Sequence, residues 1–333
     1  MIGLQIKALY PYLLGLSIIL EASAYPKPGN VHRYADLPDL SYNSFMLCGV
    51  FGIEGFYRGV RRGLRGWGKV VFGDLIYYVL RRVISSGGGN ACLGSLTLLA
   101  PLSVSIGYSL RQDRESLKAF IENVEEVLSS STIEDSIYFY RAIRMVTPSH
   151  IKASDDTGGH VNVWSRRYVS ELREKGYRLV DIIRYSSLKE IVHYELVNLY
   201  PISLDALSFM ENRLSVHGDL NRGIVETQLY LMSKYVDSLI ARKHGEEAAL
   251  WTRKRSSEVL RAVLSSGIEW IKFAQSFDSE LRSKGYNPGS IADIVVSTIA
   301  FYVIKRSLEG KPILVEHMVV NLNSSMYRVL DIR

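Results

Sequence analysis

Helical periodicity is the sequence feature that most restricts how this 333-residue chain can fold. Between Ser290 and Gly310, apolar residues recur three and four positions apart, which places them on one face of an α-helix. Ser290 is the predicted N-cap of this helix, and Gly310 is its predicted end. The segments 114–130 and 225–245 show the same period, and each is predicted as a helix. The sequence therefore predicts an all-α protein.

Alternation typical of β-strands is scarce, and the segment 311–320 is the best candidate for a strand. No internal repeat and no linker rich in glycine, serine or proline divides the chain. We therefore predict one domain over residues 1–333, a multi-helix bundle with loops rich in glycine, proline and asparagine. Loops of this composition on a helical frame usually carry the ligand-binding residues of a protein.

Composition and charge exclude several classes of protein. With 47% hydrophobic residues, 22% charged residues and 9 prolines, the chain has the composition of a folded protein. The net charge of +6 suits an anionic ligand but falls short of that of a nucleic-acid-binding protein. Five basic residues between Arg58 and Lys69 have the spacing of one helical face, although four glycines among them weaken the helix prediction. A solvent-exposed face is favoured there over a nucleic-acid surface, and no nucleic-acid partner is predicted.

The two cysteines, Cys48 and Cys92, lie far apart and do not have the spacing of metal ligands. Neither a disulfide framework nor a zinc site is expected from this pattern. A reducing cytoplasm is the compartment that fits it best.

Two apolar segments raise the question of a membrane. The run from Ala8 to Leu20 is too short to span a bilayer, and a single lysine before it makes a weak signal peptide. The alternative is a secretory cleavage after Ala24. The uncharged run from Ala91 to Leu110 has the length of a span, but its serines, glycines and Pro101 favour a buried core helix. No membrane association is predicted.

The stretch "YPKPGN" after the first apolar run has residue types that suit an anion-binding turn. Two prolines fix φ angles, Gly29 permits close approach of the backbone to a ligand, and Lys27 supplies a cation. His32 and Arg33 add two further potential cations. A solvated loop after a helix that ends at proline fits the same spacing, and the residues alone leave both interpretations open.

"GGGNACLG" and "STIED" have two interpretations each. The glycines before the next helix, up to Gly94, are typical of a phosphate-binding loop, but Asn90 is equally suited to be the N-cap of that helix. Glu134 and Asp135 suit a magnesium site, whereas Ser131 and Glu134 have the spacing of a capping box.

"ARKHG" and "NPGSIAD" are ambiguous in the same way. Arg242, Lys243 and His244 suit either a polyphosphate or the negative end of a helix dipole. Asn287 and the glycine two residues later form a turn that opens the last long helix, with Asp293 inside that helix.

Taken together and in this order, the motifs resemble the triphosphoribosyl-dephospho-CoA synthase family, in particular its archaeal-type branch. The resemblance runs from about Glu21 to about Gly310 and rests on "EASAYPKPGNVHRY", "NACLGSLTLLAPLS", "STIEDSIYFYRAIR", "LIARKHG" and "NPGSIAD". The segment "DDTGGHVNVWS" departs from the family, which carries an acidic segment at this place.

The resemblance implies an all-helical enzyme that uses ATP, Mg²⁺ and 3′-dephospho-CoA. In that reaction the ribose 2′-hydroxyl of dephospho-CoA attacks C1′ of the ATP ribose, and adenine leaves. A related ribosyl transfer to another acceptor, such as a methanopterin-like pterin, and a non-enzymatic basic nucleic-acid-binding protein are the alternatives. A homo-oligomer is compatible with the sequence.

The resemblance also assigns expected roles to the motif residues. The expected general base is one of the carboxylates or His32, and the expected hydrogen-bond donor to adenine is Asn90 or Asn287. The expected magnesium ligands are Glu134, Asp135 and Asp293. The expected substrate-binding and phosphate-binding residues are Lys27, Gly29, Asn30, Arg33, Asn90, Gly94, Arg242, Lys243, His244, Asn287 and Gly289.

Overall fold

The computed structural model describes residues 2–148 and 157–313. Within these residues the regular structure is helical, and pairing of β type is limited to two isolated bridges in the loop after the first helix. The prediction of an all-α protein is confirmed. The candidate strand at 311–320 lies almost entirely outside the described residues.

The helices account for most of the described chain. In chain order they are α1 (Ile2–Ser23), α2 (Tyr42–Arg65), α3 (Gly73–Ser85), α4 (Leu93–Arg111), α5 (Leu117–Glu122), α6 (Val124–Ser129), α7 (Ile133–Val146), α8 (Tyr168–Lys175), α9 (Leu179–Ser186), α10 (Ile191–Val197), α11 (Pro201–His217), α12 (Leu220–Lys234), α13 (Ser238–His244), α14 (Glu246–Ser265), α15 (Trp270–Lys284) and α16 (Gly289–Leu308). A short 3₁₀ turn, Gly267–Glu269, precedes α15.

The centre of the core is built from α1, α2, α4 and α16. Helices α2 and α4 approach so closely that a Cβ atom on Gly63 would lie 2.0 Å from the carbonyl oxygen of Val104. A Cβ atom on Gly107 would in turn lie 2.0 Å from the carbonyl oxygen of Val60. Of the four glycines that weakened the helix prediction, Gly59 and Gly63 lie inside α2 and allow its close packing against α4. The helix ends at Arg65, before Gly66 and Gly68.

Helix α4 contains most of the uncharged run, and it is long and apolar enough to cross a membrane. In the structure, 83% of the apolar window in this helix is buried inside the protein. The prediction of a buried core helix is therefore confirmed. Helix α1 is also a core helix, with Leu13, Leu14 and Ile18 at most 1% exposed.

The basic cluster of the α2 segment divides in two. Arg58 and Arg61 are exposed, as predicted for a solvent-exposed face. Arg62 instead turns inward and makes two hydrogen bonds to the Asp74 carboxylate, at 2.6 and 2.8 Å. One member of the cluster therefore joins α2 to α3, which the spacing in the sequence did not predict.

The helices predicted for segments 114–130 and 225–245 are each interrupted in the structure. Segment 114–130 forms α5 and α6 with Asn123 between them, and segment 225–245 forms α12 and α13. The second break occurs because Asp237 accepts a hydrogen bond from the backbone N–H of Ile240 and caps α13. The predicted N-cap Ser290 lies inside α16, since that helix begins at Gly289.

Cys48 and Cys92 form a disulfide, although their spacing along the chain gave no expectation of disulfides. Cys48 lies in α2, Cys92 immediately precedes α4, and the packing of these helices brings the two Cα atoms to 6.4 Å. Sequence spacing does not show which distant cysteines meet in a fold. Because the two cysteines are paired, they do not support assignment of the protein to a reducing compartment.

Candidate active site

A cavity of about 620 Å³ collects segments that are far apart in the sequence. Its walls come from the turn after α1, the loop before α4, the segment before α8, helices α7, α9, α10 and α13, and the start of α16. Nine of the residues predicted to bind substrate or metal line this cavity. They are Lys27, Asn30, Asn90, Gly94, Arg242, Lys243, Asn287, Gly289 and Asp293. These nine residues come from four of the five family motifs, and the fifth, "STIEDSIYFYRAIR", contributes Phe139, Tyr140 and Ile143 to the cavity wall.

The turn after α1 is held from behind by α15. The backbone N–H of Gly29 donates to Asp278 Oδ1 at 2.9 Å, and Gly29 has a φ of +74°. A Cβ atom at this position would lie 2.6 Å from the carbonyl oxygen of Tyr286, so the turn requires glycine. The amide of Gly29 is therefore used to anchor the turn and is not offered to a phosphate.

His32 belongs to the same anchor and does not line the cavity. Its Nε2 lies 3.2 Å from Asp278 Oδ2, and Arg282 Nε donates to both oxygens of this carboxylate at 2.9 Å. Burial raises the pKa of Asp278, but the hydrogen bond from His32 and the charge of Arg282 outweigh it, so this pKa is lowered overall. The ionised Asp278 carboxylate thus fixes the turn that carries Lys27 and Asn30.

Arg33 and His244 also lie outside the cavity lining. Arg33 is exposed and donates to Asn221 Oδ1 at 2.7 Å. The His244 ring lies 4.9 Å from the Tyr286 ring, centroid to centroid. Both side chains therefore have contacts that explain their positions without a ligand.

Lys27 faces the cavity from within a buried ion pair. Its Nζ lies 2.5 Å from Glu21 Oε1, and both side chains are 1% exposed. Burial lowers the pKa of Lys27, while the nearby carboxylates Glu21 and Asp293 raise it and offset part of the effect. Burial likewise raises the pKa of Glu21 against the charge of Lys27. Glu21 also lines the cavity, and sequence reasoning did not single it out.

The carboxylate of Asp293 lies at the N-terminus of α4, which is the positive end of the helix dipole. Ser95 Oγ donates to Asp293 Oδ1 at 2.5 Å, and a Cβ atom on Gly94 would lie 2.0 Å from Asp293 Oδ2. Burial raises the pKa of Asp293 to about 7, and the charge of Glu21 adds to the shift. The anion that this glycine loop accommodates is therefore Asp293.

Asn90 is not the N-cap of α4, because that position belongs to Cys92. Its side-chain oxygen is buried and has no hydrogen-bond partner among the described residues. Since buried polar atoms are almost always paired, Asn90 is available to a ligand. Nearby, Asn30 Nδ2 donates to Asn287 Oδ1 at 2.6 Å and joins the two loops.

Arg242 reaches the cavity beside a carboxylate that sequence reasoning missed. Its Nε lies 2.5 Å from Glu190 Oε1. Burial raises the pKa of Glu190, which the charge of Arg242 only partly offsets. Ser238 Oγ donates to Glu190 Oε2 at 3.2 Å, so this carboxylate ties the loop before α10 to α13. Lys243, next in the chain, is exposed at the cavity lining.

Glu134 and Asp135 do not line the cavity. Asp135 Oδ1 accepts hydrogen bonds from the backbone N–H groups of Val71, Phe72 and Gly73, at 3.0, 2.8 and 2.7 Å. The capping box of α7 is formed by Thr132 and Asp135, one position beyond the predicted Ser131 and Glu134. Glu134 pairs with Arg173 at 2.9 Å on the surface.

No group of three or more histidine, cysteine or acidic side chains that could hold a metal ion occurs in residues 2–148 and 157–313. Of the three predicted magnesium ligands, Asp293 is the one that lines the cavity. Asp155 and Asp156, from the segment that departs from the family pattern, lie outside the described residues.

Replacing Asp135 by Asn is expected to lower the free energy of unfolding by about 2–4 kcal/mol, because an amide nitrogen would face N–H donors. Activity per folded molecule is expected to stay within about twofold, since hydrogen-bonded caps act on stability. Glu134→Gln is the matched control, and its loss should stay below about 1 kcal/mol. Denaturant unfolding combined with an activity assay measures both effects. A folded but inactive Asp135→Asn variant would restore a catalytic role for this carboxylate.

Fold and site together define a helical enzyme with a nucleotide-sized cavity in which cations and carboxylates meet. The family model of ATP:dephospho-CoA triphosphoribosyl transferase matches residues 9–311. The chain belongs to this family and is a transferase.

One solved structure with a similar fold is that of an Archaeoglobus fulgidus protein proposed to be a triphosphoribosyl-dephospho-CoA synthase. Its TM-score is 0.59 at 19% sequence identity, over 78% of this chain and 97% of that chain. At this identity the likeness shows the fold. No curated protein gives a significant match to the sequence.

Proposed function

We propose that the protein transfers the 5-triphosphoribosyl group of ATP to the ribose 2′-hydroxyl of 3′-dephospho-CoA and releases adenine. The observation that carries the proposal is the convergence of the family motifs on one cavity of about 620 Å³. In this transfer, the bond between O2′ of the acceptor and C1′ of the ATP ribose forms as the bond from C1′ to adenine N9 breaks. The hydroxyl proton is given up, and adenine leaves with a proton.

The cations of the cavity support the binding of phosphates. Lys27 comes from the turn after α1, Arg242 and Lys243 come from α13, and all three line the cavity. Lys27 has three N–H donors, and its partners in the structure are the carboxylate and the backbone carbonyl of Glu21. Arg242 and Lys243 stand at the last turn of α13. Charge-assisted hydrogen bonds from such groups are the usual means of holding a triphosphate.

Asp293 is the candidate for the general base. A base must be deprotonated during turnover yet still attract a proton, so a pKa near the working pH is optimal. Burial and the neighbouring charge of Glu21 place the pKa of Asp293 at about 7. The hydrogen bond from Ser95 Oγ fixes the orientation of its carboxylate. Glu134, Asp135 and His32, the other predicted bases, do not line the cavity.

Magnesium is proposed to arrive as the magnesium complex of ATP. Two of the carboxylates at the cavity are paired with cations, Glu21 with Lys27 and Glu190 with Arg242. This donor set does not resemble a resident magnesium cage, whereas Mg²⁺ commonly keeps water and substrate phosphates as ligands. We also propose a cytoplasmic location, because ATP and dephospho-CoA are intracellular metabolites.

The reaction is tested by incubating the protein with MgATP and dephospho-CoA and measuring free adenine and the mass of the product. Adenine is expected in equal amount to a product heavier than dephospho-CoA by one triphosphoribosyl group. With 2′-deoxy-dephospho-CoA, which lacks the attacking hydroxyl, no such product is expected. Release of ADP or AMP instead of adenine would overturn the proposal. Adenine release that does not depend on dephospho-CoA would indicate hydrolysis or a different acceptor.

A further inference from the structure

One part of the cavity wall differs in chemistry from the charged loops. Helices α7, α9 and α10 and the segment before α8 contribute mainly apolar and aromatic side chains. They include Phe139, Tyr140, Ile143, Val161, Ile182 and Val192. The polar side chains on this wall include Thr157, His160, Ser186 and His193, none of which the family motifs contain, and the hydroxyls of Tyr140 and Tyr185. The wall therefore offers uncharged hydrogen-bonding groups in apolar surroundings.

His160 is held in an aromatic stack. Its ring lies 4.6 Å from the Tyr177 ring and 4.3 Å from the Tyr185 ring, at interplanar angles of 20° and 21°. Since both faces of the imidazole are covered, only its edge can contact a ligand. Nδ1 on that edge is buried and has no hydrogen-bond partner among the described residues. An unpaired buried nitrogen on a cavity wall points to a ligand that pairs with it.

His193 presents a second imidazole on the same wall. Its Nδ1 lies 2.5 Å from Ser186 Oγ, which is also 3.0 Å from the carbonyl oxygen of Ile182. Burial, together with the charge of Arg242, lowers the pKa of His193 to about 4. His193 is therefore neutral at physiological pH, with one donor and one acceptor nitrogen. A neutral imidazole ring can donate and accept hydrogen bonds with the polar edge of an uncharged ligand.

We propose that this wall is the subsite for the adenine base of a substrate nucleotide, with His160 and His193 contacting the edge of the base. The identity of the nucleotide rests on the proposed function. Adenine is flat and uncharged, with apolar faces and a polar edge, and such groups favour apolar pockets with a few placed hydrogen-bonding side chains. The wall and the cations Lys27 and Arg242 belong to one cavity. A nucleotide can therefore place its base on the wall and its phosphates at the cations.

Asn90 and Asn287, the residues expected to contact adenine, lie on other segments of the same cavity. Both ATP and dephospho-CoA carry adenine, so the shared chemistry defines the subsite, and the experiment determines which nucleotide occupies it. If the occupant is ATP, the wall holds the leaving group of the reaction. If the occupant is dephospho-CoA, the wall holds the acceptor.

The test is calorimetric measurement of the dissociation constants of ATP, dephospho-CoA and inorganic triphosphate. His160→Phe keeps an aromatic ring in the stack but removes the unpaired nitrogen. Ser186→Ala removes the hydroxyl that orients His193, and Ser187→Ala is the matched control because Ser187 bonds to the Arg184 carbonyl and does not line the cavity. Loss of one hydrogen bond is expected to weaken nucleotide binding up to about tenfold. The affinity for triphosphate should not change.

Weaker binding of ATP alone assigns the wall to the donor, and weaker binding of dephospho-CoA alone assigns it to the acceptor. Unchanged affinities in both His160→Phe and Ser186→Ala would overturn the proposal. An equal loss of triphosphate affinity would do the same, because it would indicate a general structural effect. Because binding is measured without turnover, failure of the transfer reaction remains distinguishable. If the wild-type protein binds nucleotides but releases no adenine, the proposed function is contradicted. The subsite proposal is then still decided by the dissociation constants of the variants.

Discussion

Lys27→Met is expected to reduce kcat/KM for adenine release at least about a hundredfold. Lys27 is the one predicted phosphate-binding cation that is fully buried at the cavity, at 1% exposure. Within a site that excludes water, a fixed positive charge stabilises a triphosphate and the charge that develops on it far more than a solvated one does. Methionine has nearly the length of lysine, so the change removes charge with little change in packing. The assay is adenine release at several ATP concentrations.

The same substitution is expected to lower the free energy of unfolding by about 3–5 kcal/mol, because it leaves a buried carboxylate without its partner. That carboxylate is Glu21, 2.5 Å from Lys27 Nζ. The double variant Lys27→Met with Glu21→Gln removes both charges and should recover most of the stability. It should not recover the activity if Lys27 binds phosphate. Activity close to that of the wild type in the double variant would show that Lys27 only neutralises Glu21.

The sequence predicted most of the fold because local pattern determines where helices form. The segment with apolar residues on one face after Ser290 forms most of α16, and most of the uncharged run forms α4. Errors arose where a distant residue decided the local structure. Asp237 interrupts a predicted helix because it caps α13 and also accepts from the backbone N–H of Ile291 at 2.8 Å. No local pattern carries that information, since the two partners belong to different helices.

The same limit applies to the candidate site. The loops of the family resemblance meet at one cavity, but the use of each polar side chain depends on partners elsewhere in the chain. Asp278 holds His32 from 246 residues away, and Asp135 holds Val71 from 64 residues away. His32 and Asp135, two of the three predicted catalytic residues, therefore have structural partners. Glu190 was missed because nothing in its sequence surroundings distinguishes it. His160 was missed because its segment, "DDTGGHVNVWS", departs from the family pattern.

Asp293→Asn is expected to lower kcat by about 100- to 10,000-fold, the range associated with loss of a general base. In the wild-type protein, kcat should rise with pH and level off above about 7, because burial and the charge of Glu21 raise the pKa of Asp293 to about 7. Residual activity of the Asn variant should lack this rise. The measurement is the pH profile of adenine release at saturating substrates. A wild-type profile without a rise near pH 7 would place the base elsewhere.

Stability should change in the opposite direction to activity. The folded protein holds the Asp293 proton more tightly than the unfolded chain does, since the pKa is raised from 3.8 to about 7. The contribution of Asp293 to the free energy of unfolding of the wild-type protein therefore falls as pH rises between about 4 and 7. Above about pH 7 this contribution is constant. Asn carries no charge at any pH. Asp293→Asn should thus be more stable than wild type by about 2–4 kcal/mol at pH 8 and nearly equal to it at pH 4.

Ser95→Ala is the matched control, because it keeps the carboxylate but removes the hydroxyl that donates to Asp293 Oδ1 at 2.5 Å. That hydrogen bond favours the ionised carboxylate, so its loss should raise the pKa of Asp293 and move the rise in kcat to higher pH. An unshifted profile in Ser95→Ala would mean that a different group controls the rate. A shifted profile with a largely retained plateau would link the titration seen in the rate to the carboxylate at the start of α4.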